Sequence, residues 1–92
     1  MAHTIRDKTK LLKRVARIRG QVEALESALQ NEQECSDVLQ LIASCRGAIN
    51  GLMAVVVEGH VRMHVLSSHA KSDSEEARAA DELIALVKTY LK

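Results

Sequence analysis

The chain has 92 residues, 47% of them hydrophobic, a net charge of +1, and one aromatic side chain, Tyr90. That length bounds it at a single domain, residues 1–92, and the apolar content excludes disorder by composition. The near-neutral balance excludes a wholly basic nucleic-acid tail, and a proline-free sequence rich in Ala, Leu, Val and Ile points to helices.

The first helix is expected over residues 5–30, with Thr4 as its N-cap. Leu11, Val15, Ile18, Val22, Leu25 and Leu29 recur at alternating spacings of four and three, a coiled-coil-like seam. Asn31–Glu34 is a polar break. A second helix is expected over residues 36–66, capped by Ser36 or a neighbour. Its apolar residues from Val38 to Val57 are not confined to one stripe, and Val55, Val56 and Val57 fall on three faces in succession. A helix apolar on most sides is buried on most sides, so a second subunit is expected against it. Ser67–Asp73 is a second break, with Ser72 and Glu75 spaced as a capping box. The third helix is expected over residues 74–91, with Ala80, Leu83, Val87 and Tyr90 or Leu91 as its seam.

The N-terminus is charged and lacks an apolar core, so no signal peptide is expected. No apolar run reaches the roughly 18 residues of a membrane span, so no membrane association is expected and the chain is placed in the cytoplasm. Cys35 and Cys45 are then reduced. No carboxylate pair, phosphate loop or triad spacing suggests an enzyme.

His60 and His64 are four residues apart and share one face of the second helix, so two imidazoles can reach one metal. Cys35 lies near the other end of that helix, about 37 Å away at 1.5 Å per residue. Cys35 and His60 cannot share an ion within one chain. If two copies of the helix pair antiparallel, Cys35 of one comes level with His60 and His64 of the other. The two-fold axis then passes near residue 48, among the small Gly47, Ala48 and Gly51. A hairpin turning near residue 33 sets residue 5 beside residue 61 and brings His3 to the same end, with the Ala2 amine beside it after loss of Met1. The expected metal set is His3, His60 and His64 from one subunit and Cys35 from the other. Nitrogen-rich donors with one thiolate suit Ni(II), Co(II) or Zn(II), and Cu(I) takes more sulfur. A coordination number above four favours nickel or cobalt over tetrahedral zinc. Surface histidine pairs are common, and without the convergence these would be solvated side chains. Cys45, inside an apolar run, reads as a buried structural thiol, and His69, in the second break, as a solvated side chain.

Residues 1–20 carry Arg6, Lys8, Lys10, Lys13, Arg14, Arg17 and Arg19 against Asp7 alone, whereas residues 21–45 carry Glu23, Glu26, Glu32, Glu34 and Asp37 and no base. Arg6, Lys10, Lys13, Arg14 and Arg17 fall within an arc of about 100° beside the apolar seam. Arg46 is the lone base in a long apolar and acidic stretch. Such a run is commonly a solvated face, but bases with few acids to pair with suit phosphate contacts. Nothing resembles a helix-turn-helix recognition helix.

Several segments together resemble the CsoR/RcnR family of bacterial transcriptional repressors. They are His3-Thr4-Ile5-Arg6-Asp7-Lys8, Arg17-Ile18-Arg19-Gly20-Gln21-Val22 with Ala24-Leu25, and Glu34-Cys35. Arg46-Gly47-Ala48, Asn50-Gly51-Leu52-Met53, Gly59-His60 and Tyr90-Leu91-Lys92 complete them. The resemblance covers nearly the whole chain. It implies an all-α, three-helix subunit: a long helical hairpin plus a short third helix. It also implies an antiparallel dimer forming a four-helix bundle, and a dimer-of-dimers tetramer. Effector sites lie between subunits, and the effector relieves repression. Copper sensors of the family would need a cysteine at position 64, where this chain has His64. The nickel/cobalt branch, RcnR, carries His, Cys, His and His, matched here by His3, Cys35, His60 and His64. Its acid before the last histidine is replaced by Met63, which leaves nickel versus cobalt open. By the same resemblance Arg14, Arg17 and Arg46 contact operator DNA, with Lys10 and Lys13 adding charge, and metal efflux genes are the expected targets. A formaldehyde-sensing branch, with Cys35 as a reactive thiol, is the alternative.

Overall fold

The computed structural model describes residues 3–65 and 74–91, with the backbone alone for His3, His64 and Val65. Among them every regular element is helical: α1 (His3–Arg6), α2 (Lys8–Gln30), α3 (Cys35–His60), a π-helical turn (Val61–Val65) and α4 (Glu75–Tyr90). The expected all-α subunit is present, with corrections at each helix end. The first helix begins at His3, so Thr4 lies inside α1 and is not its cap. The helical path breaks at Asp7, at φ −98° and ψ 16°, where the Asp7 carbonyl accepts the Leu11 N–H at 3.0 Å. The Asp7 carboxylate accepts from Arg6 Nε at 3.3 Å and Nη2 at 3.2 Å.

The hairpin turn follows from backbone hydrogen bonding. The Gln33 N–H donates to the Ala28 carbonyl at 3.0 Å and the Glu32 N–H to the Leu29 carbonyl at 3.2 Å. This is the Schellman pattern, which places its C′ residue in the left-handed region. That residue is Glu32, at φ 54°, where glycine is usual. Extended Glu34 then starts α3, its carbonyl accepting from Asp37 and Val38 N–H groups at 3.0 and 3.1 Å. Of the expected cap, Ser36 or a neighbour, Ser36 is already inside the helix and Glu34 takes the capping position. The expected single helix to residue 66 gives way after His60 to the π-helical turn.

For α4 the N-cap is Ser74, whose Oγ accepts the Ala77 N–H at 3.1 Å. The cap therefore falls two residues beyond the expected Ser72–Glu75 box, and Ser72 lies outside the described residues. Glu75 and Glu76 in the first turn and Lys88 in the last complement the helix dipole.

α2 and α3 pack as an antiparallel hairpin, and the expected seam of α2 divides in two. Leu11, Ile18 and Leu25 are half-buried and Ala28 is buried, whereas Val15, Val22 and Leu29 remain exposed. On α3 Cys45 is buried, as expected for a structural thiol, and Leu39, Ile42, Ile49 and Met53 are exposed. α4 buries Ala77, Ala80 and Ile84. Val61, Ala80 and Ile84 form a small core with Val57 packed against it. The expected seam of α4 is corrected accordingly: Leu83 and Tyr90 point outward, Tyr90 being 82% exposed, while Val87 and Leu91 are half-buried.

The result is a thin slab of 55 × 25 × 13 Å with a radius of gyration of 17.2 Å, against about 12 Å for a compact chain of this length. Its accessible surface is 6987 Å², against about 5,300 Å² for a compact monomer of this mass. Within the helix from Cys35 through Met63 an 18-residue stretch reaches a mean hydropathy of 1.4, so by length and composition alone the helix is long and apolar enough to cross a membrane. Arg46 interrupts the run of letters without lowering the average enough.

Candidate effector site and nucleic-acid interface

Cys35 is the first residue of α3 and a free, exposed thiol; His60 is its last residue and is also exposed. One continuous α-helix separates them, so the length argument stands at about 37 Å. His64 lies within the π-helical turn and His3 opens α1. α1 lies against α3. Because the hairpin turns at 31–34, only the His60 end of α3 is within reach of residues 3–6. The backbone thus carries His3, His60 and His64 to one end of the subunit and Cys35 to the other. Among the described residues no three His, Cys, Asp or Glu side chains come together to hold a metal. The His3 and His64 side chains, the Ala2 amine and His69 lie outside what is described. The donor types still fit a borderline divalent ion: imidazoles four apart at one end, and a thiol at the end an antiparallel copy would present.

Lys10, Lys13, Arg14 and Arg17 on α2 and Arg46 on α3 are all exposed. Among the described residues none of the five forms an ion pair, whereas Arg6 is held by Asp7 at 3.2 Å. Arg6 also belongs to α1, beyond the break, and so leaves the α2 arc it was expected to share. Arg14 reaches over α3 at Gly51, whose absent β-carbon would lie 3.5 Å from Nη1. The end of the Arg14 side chain therefore lies over Gly51 within the same chain. At Gly47 a β-carbon would meet nothing within 4 Å, so that surface is open.

Sequence reasoning missed an ion cluster at the His60 end. Arg62 in the π-helical turn bonds Asp81 of α4 at 2.8 Å and lies 3.7 Å from Glu58, which also pairs with Lys88 of α4 at 3.2 Å. The hydrogen bond to Asp81, then the charges of Asp81 and Glu58, hold the Arg62 guanidinium above its ordinary pKa against partial desolvation. The four-residue spacing of Glu58 and Arg62 was a legible signal; the partners on α4 were not.

Comparison with known proteins agrees with this architecture. The family model described as metal-sensitive transcriptional repressor matches residues 7–89. An uncharacterized protein from the bioA 5' region of Serratia marcescens is 52% identical over 92 residues, covering 100% of both chains. Transcriptional repressor RcnR of Citrobacter koseri is 44% identical over 95 residues, and RcnR of Salmonella paratyphi B 42% identical over 92, each covering 100% of both chains. Among solved structures, a glutamate-to-histidine variant of the formaldehyde-responsive regulator FrmR from Salmonella enterica serovar Typhimurium matches with a TM-score of 0.64. It is 41% identical and covers 95% of this chain and 96% of that one. A match across most of the chain, with full-length RcnR relatives, makes this protein a member of the CsoR/RcnR family of metal-sensitive transcriptional repressors, not an enzyme.

Proposed function

We propose that this chain is a cytoplasmic repressor that binds operator DNA without metal and is released by Ni(II) or Co(II), controlling metal efflux genes. The observation that carries the reading is the position of Cys35 and His60 at opposite ends of one helix, both exposed. A site containing both requires two copies in antiparallel register, so the effector site and the assembly are one device. The exposed apolar rows support that assembly. With the hairpin turn at 31–34, Val15 and Val22 of α2 stand level with Ile49 and Ile42 of α3, and all four are exposed. Two hairpins joined along these rows make a four-helix bundle, and two such dimers the tetramer. Large contiguous apolar surface on a soluble chain marks an interface. The same covering accounts for the hydropathy of α3 without a membrane.

The ligands are His3, His60 and His64 of one subunit and Cys35 of the next. Thiolate and imidazole together also accept Zn(II). Lys10, Lys13, Arg14, Arg17 and Arg46 contact DNA, since bases without acidic partners are free to exchange counterions for phosphates. Metal tightens the end of the hairpin where α2 begins, and the assembly then fits DNA less well. By linkage, metal and DNA weaken each other's binding by the same factor.

A second reading is favoured by the exposed Cys35 thiol and by the FrmR likeness: Cys35 as a nucleophile that traps formaldehyde. The deciding experiment is fluorescence anisotropy on DNA from upstream of the chain's own gene, titrated in parallel with Ni(II), Co(II), Cu(I), Zn(II) and formaldehyde. Release by nickel or cobalt that His64→Ala abolishes supports the metal sensor. Release by formaldehyde alone, unaffected by His64→Ala, supports the aldehyde sensor.

A further inference from the structure

Three features meet at the C-terminal end of α3. The backbone leaves α-helical geometry at Val61–Val65, and π-helical turns are rare and concentrate at functional sites. Arg62, inside that turn, bonds Asp81 of α4 at 2.8 Å, and Glu58 pairs with both Arg62 and Lys88. Beside these charges Val61 packs with Ala80 and Ile84. The turn and α4 are thus joined by a small apolar contact flanked by alternating charges.

Arg62 stands two residues after His60 and two before His64. An ion that draws both imidazoles together must fix the backbone between them. That backbone carries Arg62, so the bond to Asp81 cannot be independent of the ion. We propose that Arg62 is a positioning residue through which occupancy of the effector site sets the docking of α4, making α4 part of the response that weakens DNA binding. The proposal rests on the reading of His60 and His64 as effector ligands. The ion pairs are partly exposed, with side-chain accessibilities between 31% and 58%, and such pairs are individually weak. The effect expected is therefore on coupling, not on folding.

The test uses the full chain and two readouts: Co(II) absorption titration for the site and anisotropy for DNA. Arg62→Gln and Asp81→Asn should keep the wild-type Co(II) spectrum and the metal-free DNA affinity. Co(II) should then weaken DNA binding about five- to tenfold less than in wild type, within the usual range of coupling. The charge swap, Arg62→Asp with Asp81→Arg, should restore the response. Full Co(II) response in Arg62→Gln overturns the proposal. So does loss of Co(II) binding or of helical circular dichroism that the swap does not recover, because Arg62 would then act only on the site or the fold. A wild type that ignores Co(II) overturns the effector reading itself, a failure visible before any substitution is made.

Discussion

Arg14 of α2 lies across Gly51 of α3, its Nη1 3.5 Å from where a β-carbon on Gly51 would stand. The contact places a base of one helix over the other, at the register expected for a hairpin that turns at 31–34. Glycine leaves room for the guanidinium over α3, and Arg14 stays exposed. Gly51→Ala should be tolerated, since 3.5 Å is ordinary contact. Gly51→Leu should displace Arg14 and weaken DNA binding to the extent expected of Arg14→Ala, without loss of helical signal in circular dichroism.

Removing a phosphate contact weakens binding to all DNA sequences and flattens its salt dependence. Arg14→Ala and Arg17→Ala should each lower the slope of log K against log salt by about 1. Anisotropy titrations between low and physiological salt measure this. An unchanged slope would make the α2 bases an ordinary solvated face.

Ile42→Glu and Val22→Glu place charges in the exposed apolar rows of the hairpin. Burying an unpaired carboxylate is costly, so if the proposed assembly forms along these rows each should shift it to smaller species in analytical ultracentrifugation. Metal binding should fail with it, because Cys35 and His60 would no longer meet. A mass equal to wild type would place the interface elsewhere.

Glu32 occupies the left-handed position of the hairpin turn at φ 54°. An L side chain there costs about 1 kcal/mol or somewhat more, which glycine avoids. Glu32→Gly should raise stability by about that amount, less glycine's greater unfolded-state entropy. Denaturant midpoints at matched protein concentration read the change, and a loss of stability would contradict the turn geometry.

Ser74 accepts the Ala77 N–H, and Ile84 fills the small core beneath α4. Ser74→Ala should cost about 1 kcal/mol, and Ile84→Ala about 2–4 kcal/mol by opening a cavity. Hydrogen exchange should show α4 opening in both variants while α2 and α3 stay protected.

Much of this was legible in the sequence because it is written in local spacing. Helix identity, the turn at 31–34, the burial of Cys45, and the separation of Cys35 from His60 follow from periodicity and a fixed rise per residue. So did the basic end of α2, whose bases have few acids near them in sequence. The seam of α2 could be read as one stripe but not divided. Only packing against α3 decided that Leu11, Ile18 and Leu25 turn inward while Val15, Val22 and Leu29 face out, because both sets satisfy the same heptad. Likewise a cap is chosen by where the chain enters the helix, so Ser74 won over Ser72. The Arg62–Asp81 bond joins residues 19 apart across a break, a pairing that no spacing rule encodes and that only the docking of α4 against the π-helical turn created.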